Sequence, residues 1–387
     1  MIDMKSIENF TIDKSCWTKV KFGDVVFEPK ESVKDLVAEC IEHVVGLEHI
    51  DSEDIHLRRS AGIEESTTFT KKFSKGDVLF GRRRAYLKKA AKVDFEGVCS
   101  GDITVMRAKE NLLPNLLPYI VNNNRFFDYS VTHSAGGLSP RVKFIDLKNY
   151  DLTIPPISSQ EEYVHLLEAL DNVIESEKAL LKSANVLFKC KEYELLNSSH
   201  YISEGVLDVA TVQRGKFTHR PRNAPQFYGG EIPFIQTGEV VRSGKYITEY
   251  TQTLNELGLS ISKMFPKGTI VMTIAANIGY VGILDFESAF TDSLVGIKAN
   301  DEKLDQEYLY YYLSFKQPVL DNLATESAQK NLSIDTFKYF KVRYPEDMGR
   351  QRDIVRTLGL LQERVEHIQD KLKVTTSLRS ALIYKVF

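Results

Sequence analysis

Phe73-Ser-Lys-Gly-Asp-Val-Leu-Phe80 returns 192 residues later as Phe265-Pro-Lys-Gly-Thr-Ile-Val-Met272. A second segment, Ile154-Pro-Pro-Ile-Ser-Ser-Gln160, returns as Tyr344-Pro-Glu-Asp-Met-Gly-Arg-Gln351, and the two glutamines are 191 residues apart. Solenoid repeats have periods of about 20–50 residues, so an interval this long indicates a duplicated domain. A long helical stretch follows the prolines in both copies. The sequence therefore predicts two globular parts, each followed by a helix.

Both helices are predicted from an apolar stripe with alternating steps of four and three residues. The stripe of the first helix contains Tyr163, Leu167, Leu170, Ile174, Glu177, Leu181, Ala184 and Phe188, and that of the second contains Ile354, Leu358, Leu361, Val365, Ile368, Leu372 and Thr375. This spacing is typical of a coiled-coil seam. The economical arrangement pairs the two helices antiparallel; the alternative packs each helix separately on its own domain. Glu177 interrupts the stripe and marks a register, a further partner helix or a solvated break.

The globular parts are predicted to be mixed α+β domains. Short β-like runs lie at 24–27, 77–80 and 103–106 in the first part, and at 232–235, 269–273, 280–284 and 294–297 in the second. Each part also contains a shorter helical pattern, at 115–129 and 306–323. The predicted boundaries are 1–157 for the first globular part, 158–200 for the central helix, 201–345 for the second globular part and 346–387 for the C-terminal helix.

Composition is that of a globular protein, with 43% apolar and 27% charged residues among 387. No apolar run approaches the roughly 18 residues that a bilayer crossing needs, so no membrane association is expected. The four cysteines are far apart and form no Cys-x-x-Cys pair, and the eight histidines show no metal-binding spacing. These features predict a reducing cytoplasm as the location and no metal site.

Basic residues are concentrated in two stretches, although the net charge is −3. Residues 71–92 contain nine Lys and Arg against the single acid Asp77, residues 211–222 contain four and no acid, and acids gather elsewhere, as in 28–65. Arginine bridges guanine, lysine neutralises phosphate and glutamine pairs with adenine. The candidate DNA-binding residues are Lys71, Lys72, Arg82, Arg83, Arg84, Tyr86, Lys88 and Lys89, then Gln213, Arg214, Lys216, His219, Arg220 and Arg222. A charge run is often only a solvated face. The two stretches occupy different repeat positions, so the two domains would use different loops.

Catalytic motifs are missing from the sequence. The segment from Gly238 to Tyr246 has five residues between its glycines, where a phosphate-binding loop has four, and it ends in tyrosine instead of serine or threonine. No Gly-x-Gly-x-x-Gly is present either. No catalytic residue is predicted.

The order of several motifs, most of which are weak alone, resembles the specificity (S) subunits of type I restriction–modification systems from Trp17 to Phe387. The motifs are Phe22-Gly-Asp-Val25, Val45-Gly-Leu-Glu-His-Ile50, the segment from Gly76 to Lys89, Gly97-Val-Cys-Ser-Gly-Asp102, Pro155-Pro-Ile-Ser-Ser-Gln160, Phe290-Thr-Asp-Ser293, Glu307-Tyr-Leu-Tyr-Tyr-Tyr-Leu313 and Gln329-Lys-Asn-Leu-Ser333. The second copy has a single proline, Pro345, where the first has two. This departure weakens the match at the helix start.

The resemblance implies two target-recognition domains, at 1–157 and 201–345, separated by an antiparallel pair of long coiled-coil helices with an internal pseudo-two-fold repeat. Each domain is then expected to bind one half of a bipartite double-stranded DNA site, and the helices to set the spacer and dock two methyltransferase subunits. Restriction subunits would join through the complex. S-adenosylmethionine, ATP and magnesium are expected in those partners, and none in this non-catalytic chain. A two-headed scaffold for protein partners and a stand-alone enzyme with an unrecognised site are the competing hypotheses.

Overall fold

The computed structural model describes residues 11–64, 68–325 and 331–387. Within these ranges, no helix combines the length and the apolar content that a bilayer crossing requires. The chain divides into two compact units: the first contains the chain up to Ala179 together with Gln369–Phe387, and the second is Leu180–Ile368. Each long helix contributes one part of its length to each unit.

The first unit combines short strands with short helices. Its strands are β1 (Thr18–Lys21), β2 (Val26–Phe27), β3 (Val44–Val45), β4 (Lys71–Phe73), β5 (Val78–Gly81), β6 (Ala90–Lys92), β7 (Gly97–Cys99), β8 (Ile103–Ala108) and β9 (Asp151–Ile154). Its helices are α1 (Phe22–Val25), α2 (Leu117–Val121), α3 (Asn124–Thr132), α4 (Phe144–Leu147) and the first part of α5 (Ile157–Leu196). The sheets are β1-β9, β2-β8-β5-β6 and β3-β7-β4.

The second unit has the same kinds of element. Its strands are β10 (Ile202–Gly205), β11 (Ala210–Arg214), β12 (Tyr228–Ile235), β13 (Tyr246–Ile247), β14 (Gln252–Leu254), β15 (Met264–Phe265), β16 (Ile270–Thr273), β17 (Val281–Leu284), β18 (Ser288–Phe290), β19 (Leu294–Ala299) and β20 (Lys341–Tyr344). Its helices are the last part of α5, α6 (Val206–Val209), α7 (Thr237–Arg242), α8 (Glu256–Ser260), α9 (Gln306–Phe315), α10 (Gln317–Thr325) and the first part of α11 (Met348–Val386). The C-terminal part of α11 belongs to the first unit. The sheets are β10-β20, β11-β19-β16-β17-β13 and β14-β12-β18-β15.

Strand pairing confirms the internal repeat. In each unit the opening strand pairs antiparallel with the strand that precedes the long helix: Thr18 lies opposite Ile154, and Ile202 lies opposite Tyr344. The two copies of the first quoted segment lead into β5 and β16, and each of these strands has two antiparallel neighbours. The mixed α+β prediction is therefore confirmed for both domains.

The heptad positions form the buried face of the long helices. Leu167 is 0% exposed and Ile174 1% exposed on α5, and Ile354 and Leu358 are equally buried on α11. In the first unit α5 and α11 run antiparallel, because Asp171 contacts Arg379 and Glu177 contacts Lys371. In the second unit Leu196, Ile354 and Leu358 share one apolar cluster with the domain. The predicted pair is confirmed, and each helix also packs on a domain core.

Glu177 is buried, with 5% of its surface exposed. Its Oε1 lies 3.2 Å from Lys371 Nζ. A solvated break at this position is therefore wrong, since the carboxylate is enclosed and ion-paired. Burying a charge is tolerated only where an opposite charge compensates it.

The start of each long helix is held by a buried glutamine. Gln160 accepts from Leu113 N at 2.8 Å and donates to Asn111 O at 3.0 Å and Pro155 O at 3.1 Å. Its counterpart Gln351 makes the same three bonds, with Asp305 N at 2.8 Å and with Lys303 O and Pro345 O at 2.9 Å each. Both side chains are 0% exposed. The repeat thus extends to individual hydrogen bonds, and the single proline of the second copy leaves this arrangement intact.

Two predictions of local secondary structure are wrong in detail, and one quoted motif lies partly outside the described residues. Residues 22–25 form a helical turn, so the run at 24–27 is strand only at Val26–Phe27. The helical patterns at 115–129 and 306–323 are each divided into two helices. In the first case the break falls at Asn122 and Asn123, and the Asn123 side chain caps the second helix by accepting from Arg125 N. Gln329 and Lys330 of the quoted motif lie outside the described residues.

Candidate nucleic-acid interface

Most lysines of the first basic stretch contact the interior or nearby acids. Lys71 Nζ lies 3.0 Å from Glu28 Oε1 and donates to Ile103 O, and Lys89 Nζ donates to Leu47 O at 2.7 Å. Lys88 Nζ lies 3.2 Å from Glu53 and donates to Asn124, while Lys72 lies about 4 Å from two glutamates. Glutamates from the acidic segment before the stretch therefore pair with its lysines. Part of the local excess of positive charge in the sequence is thus neutralised in three dimensions.

The three arginines of this stretch lie beyond the end of β5. Arg84 is exposed, and its φ of 55° places it in the left-handed region, as does the φ of 50° at Lys88. Such angles are uncommon for residues that carry a side chain, and they occur often at functional sites. They bracket a 3-10 turn, Ala85–Leu87, on which Tyr86 is 54% exposed. An aromatic ring and a guanidinium group thus project from one tight turn.

Asp102 holds two arginines in the first unit. Its Oδ1 accepts from Arg141 Nε at 2.7 Å, and its Oδ2 accepts from Arg83 Nη1 at 3.3 Å. The bonds from Arg141 and then Arg83 hold the pKa of Asp102 below its usual value. The backbone brings these residues together: Arg82 N donates to Asp102 O, and Arg84 N donates to Pro140 O. The carboxylate remains ionised, so it orients both guanidinium groups at neutral pH.

The second stretch starts on a strand and continues as a loop. Gln213 and Arg214 end β11, which corrects the expectation that the whole stretch is a loop. Gln213 Oε1 accepts from Lys263 Nζ at 2.5 Å. A Cβ on Gly215 would come 2.2 Å from Thr291 O, so only glycine permits this approach. The close contact places the basic loop against the turn that connects β18 to β19.

Asp292 of that turn holds the arginines of the second unit. Its carboxylate accepts from Arg220 Nη2 at 2.8 Å and from Arg222 Nη2, and its backbone oxygen accepts from Arg214 Nε at 2.6 Å. His219 packs on Phe227 with 4.6 Å between ring centroids. Lys216 is exposed, and no acidic partner for it lies in the described part of the chain. The loop therefore presents cations from a fixed conformation.

The sequence did not identify three contributors to these clusters: Arg141, Asp102 and Asp292. The two aspartates lie in motifs quoted above for other reasons. A carboxylate among arginines reduces the apparent basic charge, so a search for charge runs passes over it. Arg141 lies 49 positions beyond the last lysine of the first stretch, Lys92, and only the folded backbone brings it beside Arg83.

Chemically, both clusters can bind DNA. Guanidinium groups donate to phosphate oxygens and to guanine, and an exposed aromatic ring can stack or pack on sugar. Each cluster belongs to one unit and is built from a different loop. The described chain therefore contains two dissimilar arginine clusters, one in each unit.

Comparison with known proteins identifies the family. The profile of the type I restriction modification DNA specificity domain matches the chain twice, over residues 16–185 and 206–375. The chain is 22% identical over 321 residues to the putative type I restriction enzyme MjaX specificity subunit of Methanocaldococcus jannaschii, covering 75% of this chain and 72% of that protein.

Solved structures share the fold. The type I restriction-modification system S subunit from M. genitalium aligns over 98% of both chains with a TM-score of 0.63 at 13% identity. A chain from a study of complex assembly and conformational transition in the type I R-M system aligns over 96% of this chain and 97% of that chain, with a TM-score of 0.62 at 20% identity. With two matching domains along most of its length, the chain belongs to the family of type I restriction–modification DNA specificity subunits.

Proposed function

We propose that the recognition domains, at 1–157 and 201–345, each read one half of a bipartite double-stranded DNA site. The observation that carries this proposal is that each unit presents an arginine cluster held by a carboxylate, and that the two clusters come from different loops. Different loops offer different donors, so the two halves of the site should differ in sequence. The candidate basic and aromatic residues supply the contacts, and Arg84, Tyr86 and Lys216 are among the exposed ones.

The long helices set the spacer in this proposal and dock two methyltransferase subunits. A helix of 40 residues spans about 60 Å. Half-sites one DNA turn apart are about 34 Å from centre to centre, so a helix of this length is long enough to hold two readers at that separation. The docking role is supported by a second stripe on α5, where Leu166, Val173, Leu180 and Leu187 follow at seven-residue steps with 44%, 43%, 46% and 49% exposure. A regular apolar stripe that remains accessible fits a partner helix.

Methylation and cleavage are assigned to partner subunits. S-adenosylmethionine, ATP and magnesium would bind there, and restriction subunits would join through the complex in the cytoplasm. The support in this chain is the missing catalytic motifs in its sequence. A target adenine would be flipped into the partner's site.

Selection from randomised DNA tests this function. The chain would be purified through an affinity tag from its native cells, so that partner subunits accompany it, and incubated with a library of random duplexes. We expect two short enriched sequence blocks at a constant separation. The logarithm of the binding constant should fall linearly with the logarithm of salt concentration, since phosphate contacts release counterions. No enrichment would favour a scaffold that binds proteins.

Two matched variants test the independence of the readers. Arg84→Ala should weaken one block, and Lys216→Ala should weaken the other, because each side chain belongs to one unit. Equal loss on both blocks from either variant contradicts independent reading.

A further inference from the structure

One edge of the Arg141 guanidinium is held by Asp102, and the other edge is accessible. Its Nε and Nη2 face Asp102 at 2.7 and 3.4 Å. Nη1 has no hydrogen-bond partner in the described part of the molecule, and the side chain is 45% exposed. The edge formed by Nη1 and the outer N–H of Nη2 therefore remains available.

Guanine matches this available edge. Its O6 and N7 accept two parallel hydrogen bonds from one guanidinium in the major groove. An unrestrained arginine loses rotamer entropy when it becomes fixed. Asp102 fixes Arg141 before DNA arrives, which lowers that cost at binding. Lysine at this position would keep the charge but not the pair of coplanar donors.

Arg83 does not have this freedom. Its Nη1 donates to Asp102, its Nη2 donates to Ser139, and its Nε is buried without a partner. Arg83 and Arg141 lie opposite each other in an antiparallel bridge. Like charges in this arrangement repel. Asp102, with 21% of its side chain exposed, compensates both. Arg83 thus supports the cluster, and Arg141 presents the free edge.

The second unit also contains an aspartate that holds two arginines, and its arginines come from different segments. Ile103 N donates to Ser100 O at 3.0 Å, and Leu294 N donates to Thr291 O at 3.1 Å, so the turns before β8 and β19 correspond. Each turn contains one aspartate, at its third position in the first unit and at its second in the second, and each aspartate holds two arginines. The arginines come from unrelated segments, which argues for a shared use at this place in the domain.

We propose that Arg141 reads a guanine in the half-site of the first unit, with Asp102 as its positioning residue. This inference rests on the function proposed above.

The test repeats the DNA selection with Arg141→Lys, Arg141→Ala and Asp102→Asn in the full chain with its accompanying partners. Arg141→Lys should reduce the preference for guanine at one position of one block by roughly 5- to 150-fold, the range of a bidentate arginine contact. Asp102→Asn should weaken the same preference without weakening binding to random DNA, since it removes a negative charge. Its backbone oxygen still accepts from Arg82. The matched control is Asp51→Asn, because Asp51 pairs with Arg59 at 2.5 Å elsewhere in this unit.

A chemical measurement gives a second readout. Methylation of guanine N7 removes one of the two acceptors. Methylating one particular guanine should therefore weaken binding of the wild-type chain but not of Arg141→Ala. Arg141 is half exposed, so thermal unfolding of the two Arg141 variants should match that of the wild type.

The outcomes are distinct. If the wild-type chain enriches no sequence, the proposed function fails and this inference falls with it. If the wild type enriches two blocks and Arg141→Lys retains every guanine preference, the function stands and the inference is overturned. Loss of one guanine preference in Arg141→Lys, but not in the Asp51→Asn control, supports it.

Discussion

Replacing Gln160 by leucine should destabilise the first unit by about 3 kcal/mol. The buried side chain makes three hydrogen bonds, to the backbone of Asn111, Leu113 and Pro155. Each bond contributes about 1 kcal/mol net, and the variant leaves a buried N–H without its acceptor, which adds to the loss. The apolar contacts of leucine offset part of that addition. Gln351→Leu should cost the second unit as much, because its three bonds have the same partners in the repeat.

Urea unfolding combined with amide hydrogen exchange would measure this effect locally. In Gln160→Leu, the amide of Leu113 should exchange faster, while the amide of Asp305 keeps its protection. Gln351→Leu should show the reverse. The control is Gln369→Leu, since Gln369 is exposed on the C-terminal helix and its replacement should change stability by less than about 0.5 kcal/mol. Unchanged protection of Leu113 in Gln160→Leu would refute the reasoning.

Three further changes should report on the electrostatics and packing of the units. The hydrogen bond to Asp171 raises the pKa of His56 above 6.5. Protonated His56 therefore stabilises the fold fully below pH 6.5, and this contribution is lost as the pH rises through the raised pKa. His56→Gln should lower the free energy of unfolding at about pH 5.5 and leave it unchanged near pH 9; a pH-independent effect would contradict this. Arg379→Met should cost about 2 kcal/mol in urea unfolding, because it removes a charge-assisted bond to buried Asp171, which then keeps only His56; a neutral result would show that His56 alone compensates the carboxylate. Gly215→Ala should weaken binding to the half-site of the second unit, since the new methyl would lie 2.2 Å from a carbonyl oxygen, whereas Gly244→Ala, with room for a Cβ, should bind like the wild type.

Local and periodic features of the fold were predictable from the sequence. The heptad stripes predicted the long helices and their buried faces because side-chain period follows directly from helix geometry. The two pairs of repeated segments predicted the duplication, because similar sequences adopt similar folds. The run at 24–27 was misassigned, since a four-residue apolar segment does not distinguish a strand from a helical turn. The break in the first helical pattern was missed, because the cap at Asn123 lies between two apolar runs that were assigned to one helix.

The candidate site was only partly predictable. Charge along the chain identified the two basic stretches. It did not show that Lys71, Lys88 and Lys89 already have partners within the protein, because those partners come from segments that are distant in sequence.

The sequence by itself determined the duplication, the helices and the family, because these are carried by residues close together along the chain or repeated along it. Only the tertiary structure decided which cations remain accessible and which aspartates hold them. Electrostatic contacts depend on separation in space, and the strand connections that bring Arg141 and Asp102 together are set by the folded backbone.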